Sequence, residues 1–475
     1  MTRFFRISGI RISGLILVML FVAGCGKQRD SNKNVIPDKS ITSGNPLLPG
    51  YFSDADIIEF EGNYYIYTTI DPWGGYEIAV WESNDFRTWT LRRINWPTKN
   101  QCVSPTSNSG MVSAPSVVCD STGKFYMYVT AGSEIWAGTS DHPLGPWYNL
   151  RDDQQPMIPN MPGSAIHNIG AECFIDDDGK AYLFWGSGWN WINGRCYAAE
   201  LAGDMCSFVN KPVDITPPNY FEAPTMMKVS GRYYLLYSDG RCIDSTYMIR
   251  YAVSDHPLGK WEEGKYSPIL TSVPGKGIIG PGQPSTFQFN GQFYILYHRI
   301  EQPEINFLLR QVCIDSLKFD SLGNILPIYP SDEGIAYFLP SSFNNPNLAA
   351  GRPVSASTEL SSEYPAQAVN DSKYGTQWIA ADSVDEVSIT IDLGKKKKFM
   401  NIYTWFENPF GVYHYFIEYS NDSLQWKIFT EKLDNEDRGA PRIDSNPVKG
   451  RYIRITLHND ERAVLRPAIW EIRID

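Results

Sequence analysis

Tyr51-Phe52-Ser53-Asp54-Ala55-Asp56-Ile57-Ile58-Glu59-Phe60, then Glu61-Gly62-Asn63, then Tyr64-Tyr65-Ile66-Tyr67-Thr68-Thr69 reads as a strand, a glycine turn and a second strand. Asn45-Pro46-Leu47-Leu48-Pro49-Gly50 leads into it with turn residues. In a regular strand Asp54 and Asp56 share one face, because side chains alternate. The unit recurs. Aromatic strand cores stand at Tyr64-Tyr65, Phe125-Tyr126, Ala181-Tyr182, Tyr233-Tyr234 and Phe293-Tyr294, each after a turn carrying Gly62, Gly123, Gly179, Gly231 or Gly291. A second series trails it, with Asp141-His142-Pro143-Leu144-Gly145 and Asp255-His256-Pro257-Leu258-Gly259 nearly identical. Five units of about 50 to 60 residues, each with several short strands, predict an all-β chain whose main part is a five-bladed β-propeller.

The propeller is expected over 45–340. A polar, proline-marked boundary at Leu339–Pro346 closes it. From 347 to 475 short alternating runs such as Val387–Leu393, Tyr415–Ser420 and Arg451–Leu457 predict a β-sandwich.

The 475 residues include 14 Trp and 28 Tyr and carry a formal charge of −11, which argues for large cores and against a nucleic-acid surface. The basic run Lys395–Lys398 reads as a solvated turn. Arg3, Arg6 and Arg11 precede the apolar run Leu15–Val22, as in a secretory leader over 1–25. Val22-Ala23-Gly24-Cys25 resembles a bacterial lipobox, implying a lipid on Cys25, a polar tether over 26–44 and a place in the bacterial cell envelope. Membrane attachment would then be through that lipid alone. Seven further cysteines show no CxxC spacing, so no zinc site or disulfide framework is read.

In a propeller the innermost strands line the axis. Candidate inner segments carry Asp54 and Asp56, Ser113, Glu172 with His167 and Asn168, Glu222, and Gln283 with Ser285. Hydrolysis of a glycosidic bond needs one carboxylate to activate water and one protonated carboxyl to donate to the leaving oxygen. Asp54 and Glu222, on different blades, suit opposite walls of one pocket. Tyr220, Phe221 and Ala223 flank Glu222 and would desolvate it, raising its pKa as an acid requires. Tyr51, Trp73, Trp185, Trp189 and Trp191 offer faces for sugar stacking.

Leu48-Pro49-Gly50-Tyr51-Phe52-Ser53-Asp54 before a Tyr-rich strand resembles the opening of glycoside hydrolase family 43. Phe221-Glu222-Ala223-Pro224 followed by Gly231-Arg232-Tyr233-Tyr234 resembles its fourth-blade signature. Ala114-Pro115-Ser116-Val117, Cys173–Leu183 and Tyr297-His298-Arg299 match further family segments, and the resemblance spans about residues 45 to 338. It implies a five-bladed propeller and inverting hydrolysis of arabinosyl, xylosyl or galactosyl linkages in plant-type glycans, without a required cofactor. By carry-over Asp54 is the general base, Glu222 the general acid, and His298 a substrate-pocket residue. Three positions depart from the family. Ala55 replaces the proline after the base, leaving Asp56 as a rival. Gly170 stands where a third carboxylate usually tunes the acid; Glu172 lies two residues on and would share its face in a regular strand. Gln283 stands where a histidine often helps hold a central ion or water. It is read as a pKa-tuning or sugar-contacting residue, and a structural cation such as calcium has no supporting motif.

Asn347–Ser357, Ala368–Asp371 with Thr376-Gln377-Trp378, and Ile417–Asp422 with Trp426 resemble the coagulation factor 5/8 type C, or discoidin-like, domain. That implies a jelly-roll sandwich serving as a carbohydrate-binding module or as a structural appendage. Trp405, Phe406 and Phe410 are its candidate glycan contacts. Two functional readings follow: a glycoside hydrolase, or a glycan-binding surface lipoprotein that has lost turnover. The carbohydrate is the expected partner in both, and oligomeric state is not legible.

Overall fold

The computed structural model describes residues 44–160, 163, 166–301, 308–335, 345–381, 386–458 and 466–475. The leader, Cys25, nearly all of the tether, most of the Leu339–Pro346 boundary and the end of the propeller tract lie outside them.

Four blades are four-stranded antiparallel meanders, each running outward from its innermost strand. The innermost strands are Phe52–Phe60, Val112–Cys119, Glu172–Ile175 and Glu222–Val229. The fifth blade has three strands, Ile278–Phe289, Gln292–Glu301 and Gln311–Leu317. Its outer edge takes the start of the described chain. Leu47 N–H donates to Val312 O (2.7 Å), and the Asn45 side chain bonds both the N–H and the C=O of Ile314 (2.8 and 2.9 Å). A blade edge that would otherwise expose unpaired backbone groups is thereby covered.

Four innermost strands carry a residue in the left-handed region at the same place, Asp54 (φ 50°), Ala114 (45°), Ala223 (60°) and Gln283 (56°), and Gly170 (61°) takes that place two residues before the third blade's strand. Ladder register slips there in four blades, between Ser53 and Asp56, Ser113 and Ser116, Glu222 and Thr225, and Gly282 and Ser285. These are β-bulges, which bend a strand and re-aim its side chains. The bulge corrects the expectation of a regular strand. Asp54 faces the pocket above, whereas Asp56, two residues on, turns to a level below it.

That lower level is a hydrogen-bonded ring joining all five blades. Val117 N–H and Ser285 Oγ donate to Asp56 (2.6 and 2.8 Å), and Ser116 Oγ donates to Glu172 Oε2 (3.0 Å). Glu172 also accepts from the backbone of Met226, and Thr225 Oγ1 donates to Pro284 O (2.5 Å). Buried polar groups stay only where they are bonded. The ring satisfies its members while pinning blade to blade.

The C-terminal tract forms an antiparallel sheet in the order Trp378–Ile379, Ala468–Ile474, Glu386–Phe406, Arg442–His458, His414–Ser420, Trp426–Lys432, with Val354–Ala356 added on Glu386–Phe406. Register breaks at Asp392/Lys397 and Phe399/Asn401 bend the long Glu386–Phe406 strand, and the domain closes over a core that includes Ile389, Ile402, Ile417 and Ile455. This is the expected discoidin-like sandwich. Lys395–Lys398 is corrected from a turn to an exposed stretch inside that strand.

Propeller and sandwich share one hydrophobic cluster, in which Leu47, Phe52, Trp81 and Leu296 meet Tyr374, Trp405, Ala440 and Trp470. Tyr51 packs edge-on against Trp470 (5.4 Å) and its hydroxyl accepts from Gln377 Nε2 (3.0 Å). Leu91 N–H donates to Ala440 O, and Gln311 Nε2 to Tyr374 O. Tyr51 is therefore an inter-domain contact rather than a sugar platform. Trp405 and Phe406, read as glycan contacts, are buried, and Phe410 packs against the shared cluster.

Candidate active site

A cavity of about 320 Å³ opens at the propeller axis, lined by Asp54, Trp73, His167, Ser187, Trp189, Trp191, Glu222, Gln283 and Arg310 among others. Asp54 and Glu222 share this one space. Asp56 and Glu172 line the narrow channel beneath it instead.

Asp54 is held from three sides. Thr69 Oγ1 donates to Oδ2 (2.7 Å), Arg310 Nη1 lies 3.4 Å from Oδ1, and its own N–H points to His298 Nδ1 (3.4 Å). Arg310 is itself locked by Asp71, accepting from its Nη2 (2.6 Å), Nε (3.0 Å) and backbone N–H (2.7 Å). Burial works to raise the Asp54 carboxyl. The Arg310 charge, His298 and Thr69 overcome it and hold the pKa at about 2. Asp54 is thus ionised across the ordinary pH range.

Glu222 goes the other way. Burial raises its carboxyl and the Asp54 charge adds to that, against opposing bonds from Tyr247 and Ser187. Tyr247 OH lies 2.8 Å from Oε1 and Ser187 Oγ donates to Oε2 (3.1 Å). Two carboxyl groups with opposed shifts on one cavity are what acid–base chemistry requires.

His298 is fully buried and stacked on Tyr247 (5.8 Å between centroids). It sits on its blade's second strand, as Thr69, Thr130 and Ser238 do on theirs, and each of these three accepts the N–H of the next blade's bulge residue. His298 does this for Asp54. Its expected place in the substrate pocket is corrected accordingly: it supports the carboxylate from behind. Glu172 and Asp56 are both raised by burial, and the Asp56 charge adds to the shift of Glu172.

Trp189 is 42% exposed and stacks on His167 (4.1 Å, 15°), while Trp191 lies under the Arg241 guanidinium (5.2 Å). Gly188 makes this rim possible, since a Cβ there would stand 1.9 Å from Ile192 O. Trp73 lines the cavity at 51% exposure; Trp185 is buried against Phe208 and offers no face. Asp71, Arg310 and Tyr247 escaped the sequence reading. Asp71 and Arg310 are 239 residues apart, and neither lies in a motif. Among the described residues no cluster of three or more His, Cys, Asp or Glu is arranged to hold a metal ion, and the seven described cysteines form no disulfide.

Residues 43–324 match the family model for glycosyl hydrolases family 43. The chain belongs to this family. Residues 353–469 match the F5/8 type C domain. A β-D-galactofuranosidase of Aspergillus niger is 29% identical over 62% of this chain and 87% of its own length. A xylosidase/arabinosidase of Bacteroides ovatus is 25% identical over 60% of this chain and 98% of its own. A solved glycoside hydrolase structure covers 91% of this chain and 99% of its own at 27% identity, with a TM-score of 0.76. The protein is a glycoside hydrolase, and both domains recur together in that neighbour's span.

Proposed function

We propose that the chain removes a terminal arabinosyl, xylosyl or galactosyl unit from a plant-type glycan with inversion, Asp54 serving as general base and Glu222 as general acid. Asp54 takes a proton from water as the water attacks the anomeric carbon. Glu222 gives its proton to the departing oxygen, which leaves with the bond's electron pair. The observation that carries this reading is the pairing of a depressed Asp54 with a raised Glu222 on one cavity. At about 320 Å³ the cavity is at the small end of ligand pockets, suiting one glycosyl unit over a length of chain. The names of the relatives support furanosyl and xylosyl units as the first to try. The rival reading, a binding lipoprotein without turnover, rested on Gly170; the intact opposed pair weighs against it.

A panel of aryl α-L-arabinofuranoside, β-D-xylopyranoside and β-D-galactofuranoside tests it, with proton NMR of the first-formed anomer. One sugar should be released with inverted configuration, and Asp54→Asn and Glu222→Gln should each lose roughly 10²- to 10⁴-fold. Retention of configuration, or a Glu222→Gln variant as active as wild type on unactivated substrate, would refute the assignment.

A further inference from the structure

The family's usual third carboxylate is absent at Gly170, yet Glu222 is not without a partner. Tyr247 fills the gap between Glu222 and Gln283. Its hydroxyl lies 2.8 Å from Glu222 Oε1 and 3.3 Å from Gln283 Oε1. Its ring is clamped. On one side it lies flush on Gly282, where a Cβ would stand 1.8 Å from Tyr247 Cε1. On another it stacks on His298 at an interplanar angle of 8°. Gln283 in turn extends toward the vacated position: its Nε2 is 3.8 Å from where a Cβ on residue 170 would be. Its own backbone N–H is fixed on Ser238 Oγ (2.9 Å).

We infer that Tyr247, acting with Gln283, is the positioning residue that steers the proton of Glu222, in place of the carboxylate missing at position 170. The inference rests on Glu222 being the general acid. A phenol both donates and accepts. While Glu222 is protonated, its O–H can donate to Tyr247 and the Tyr247 O–H to the Gln283 carbonyl. When the Glu222 O–H breaks and its proton passes to the leaving oxygen, the Tyr247 hydroxyl turns to donate to the new carboxylate, with Ser187 donating to the other oxygen. No bond to Tyr247 breaks. A fixed anionic neighbour would hold the acid's proton by repulsion. A two-way hydroxyl holds it by having a second acceptor available.

The other ionisable groups facing Glu222 are Asp54, Arg310, Tyr220 and Cys242. None of them bridges Glu222 to Gln283. Deleting the Tyr247 hydroxyl removes a donor from the carboxylate and moves the Glu222 titration up. Deleting the Gln283 carbonyl leaves that hydroxyl with Glu222 and Ser238 as its remaining partners, strengthens its donation to Glu222 and moves the titration down.

The test compares Tyr247→Phe and Gln283→Met on two substrates of the sugar found above: an alkyl glycoside, which needs a proton to leave, and a dinitrophenyl glycoside, which does not. Tyr247→Phe should lose roughly 10- to 100-fold on the alkyl substrate and little on the activated one, with the basic limb of kcat/KM shifted to higher pH. Gln283→Met should shift that limb to lower pH, whatever it does to KM. Equal losses on both substrates, or limbs that move the same way in both variants, would overturn the inference. Should Tyr247→Phe fail to fold, a basic limb in Gln283→Met that stays put or rises would do the same. Glu222→Gln is the control. If it shows no dependence on the leaving group, the acid assignment itself has failed, whichever way the other variants behave.

Discussion

Placing a carboxylate back at position 170 tests how the site does without one. Gly170 sits at φ 61°, where a side chain is normally strained, but Asp54, Ala114, Ala223 and Gln283 occupy the same bulge at 45° to 60° with side chains present. A Cβ at 170 would meet nothing closer than Gln283 Nε2, at 3.8 Å. With its new carboxyl protonated, Gly170→Asp should therefore cost only the intrinsic left-handed penalty, about 1 kcal/mol, and aspartate is among the residues that tolerate that region best. For a cooperative unit of this size that lowers Tm by roughly 1–2 °C. The charge acts more strongly. Two carboxylates about 6 Å apart at an effective dielectric of ~20 would repel by ~3 kcal/mol, or ~2 pKa units. The Arg310 charge opposes part of this, leaving a rise of about 1 to 2 units at Glu222 and an upward shift at Asp54. Both limbs of the kcat/KM profile should move to higher pH while the variant stays folded. Thermal melts and a pH series on the alkyl glycoside, whose leaving group needs the Glu222 proton, measure the two effects separately. A basic limb that does not move would refute the claim that position 170 opens on the acid. A Tm loss of more than about 10 °C would refute the claim that the bulge has room.

Arg310→Met should destabilise by roughly 3–5 kcal/mol near neutral pH, because it strands buried carboxylates that Arg310 now pairs. Asp54 is depressed to about 2, so its contribution is present above the ordinary carboxylate value and lost as pH falls through 2. The gap to wild type should accordingly narrow between about pH 4 and 2, and a denaturant series giving the same gap at every pH would count against the network. Trp470→Ala should cost about 3–5 kcal/mol by opening the cluster shared between propeller and sandwich. In the unmutated protein that cluster predicts one calorimetric transition; two well-separated melts would show the domains to be energetically independent.

The propeller was legible because its signal is local and repeated. A glycine turn between two aromatic strands needs only about fifteen consecutive residues, and five copies survive divergence in everything else. Asp54 and Glu222 were found for the same reason, each lying in a stretch that carries its own signature. The bulges were not legible. Three of the five left-handed positions hold Ala or Gln, residues with no turn signature, and Asp54 sits inside a strand-like alternation that hides its tolerance of that region, so Asp54 and Asp56 read as one face when the fold puts them on two levels. Aromatic residues misled in a similar way. Tyr51 and Trp405 carry the same composition as a sugar-binding rim, and burial against the sandwich is what decides otherwise.

By itself the sequence determined the β-architecture and the order of the two domains, since strand periodicity and turn chemistry act between near neighbours, and it singled out Asp54 and Glu222 as candidates. Only the tertiary structure decided what sets those carboxyl groups apart. Arg310 reaches Asp54 across 256 residues, and Tyr247 reaches Glu222 from a loop in the same blade. Charge and desolvation depend on distance in space: blade closure brings Arg310 to Asp54, and the loop of the fourth blade brings Tyr247 to Glu222.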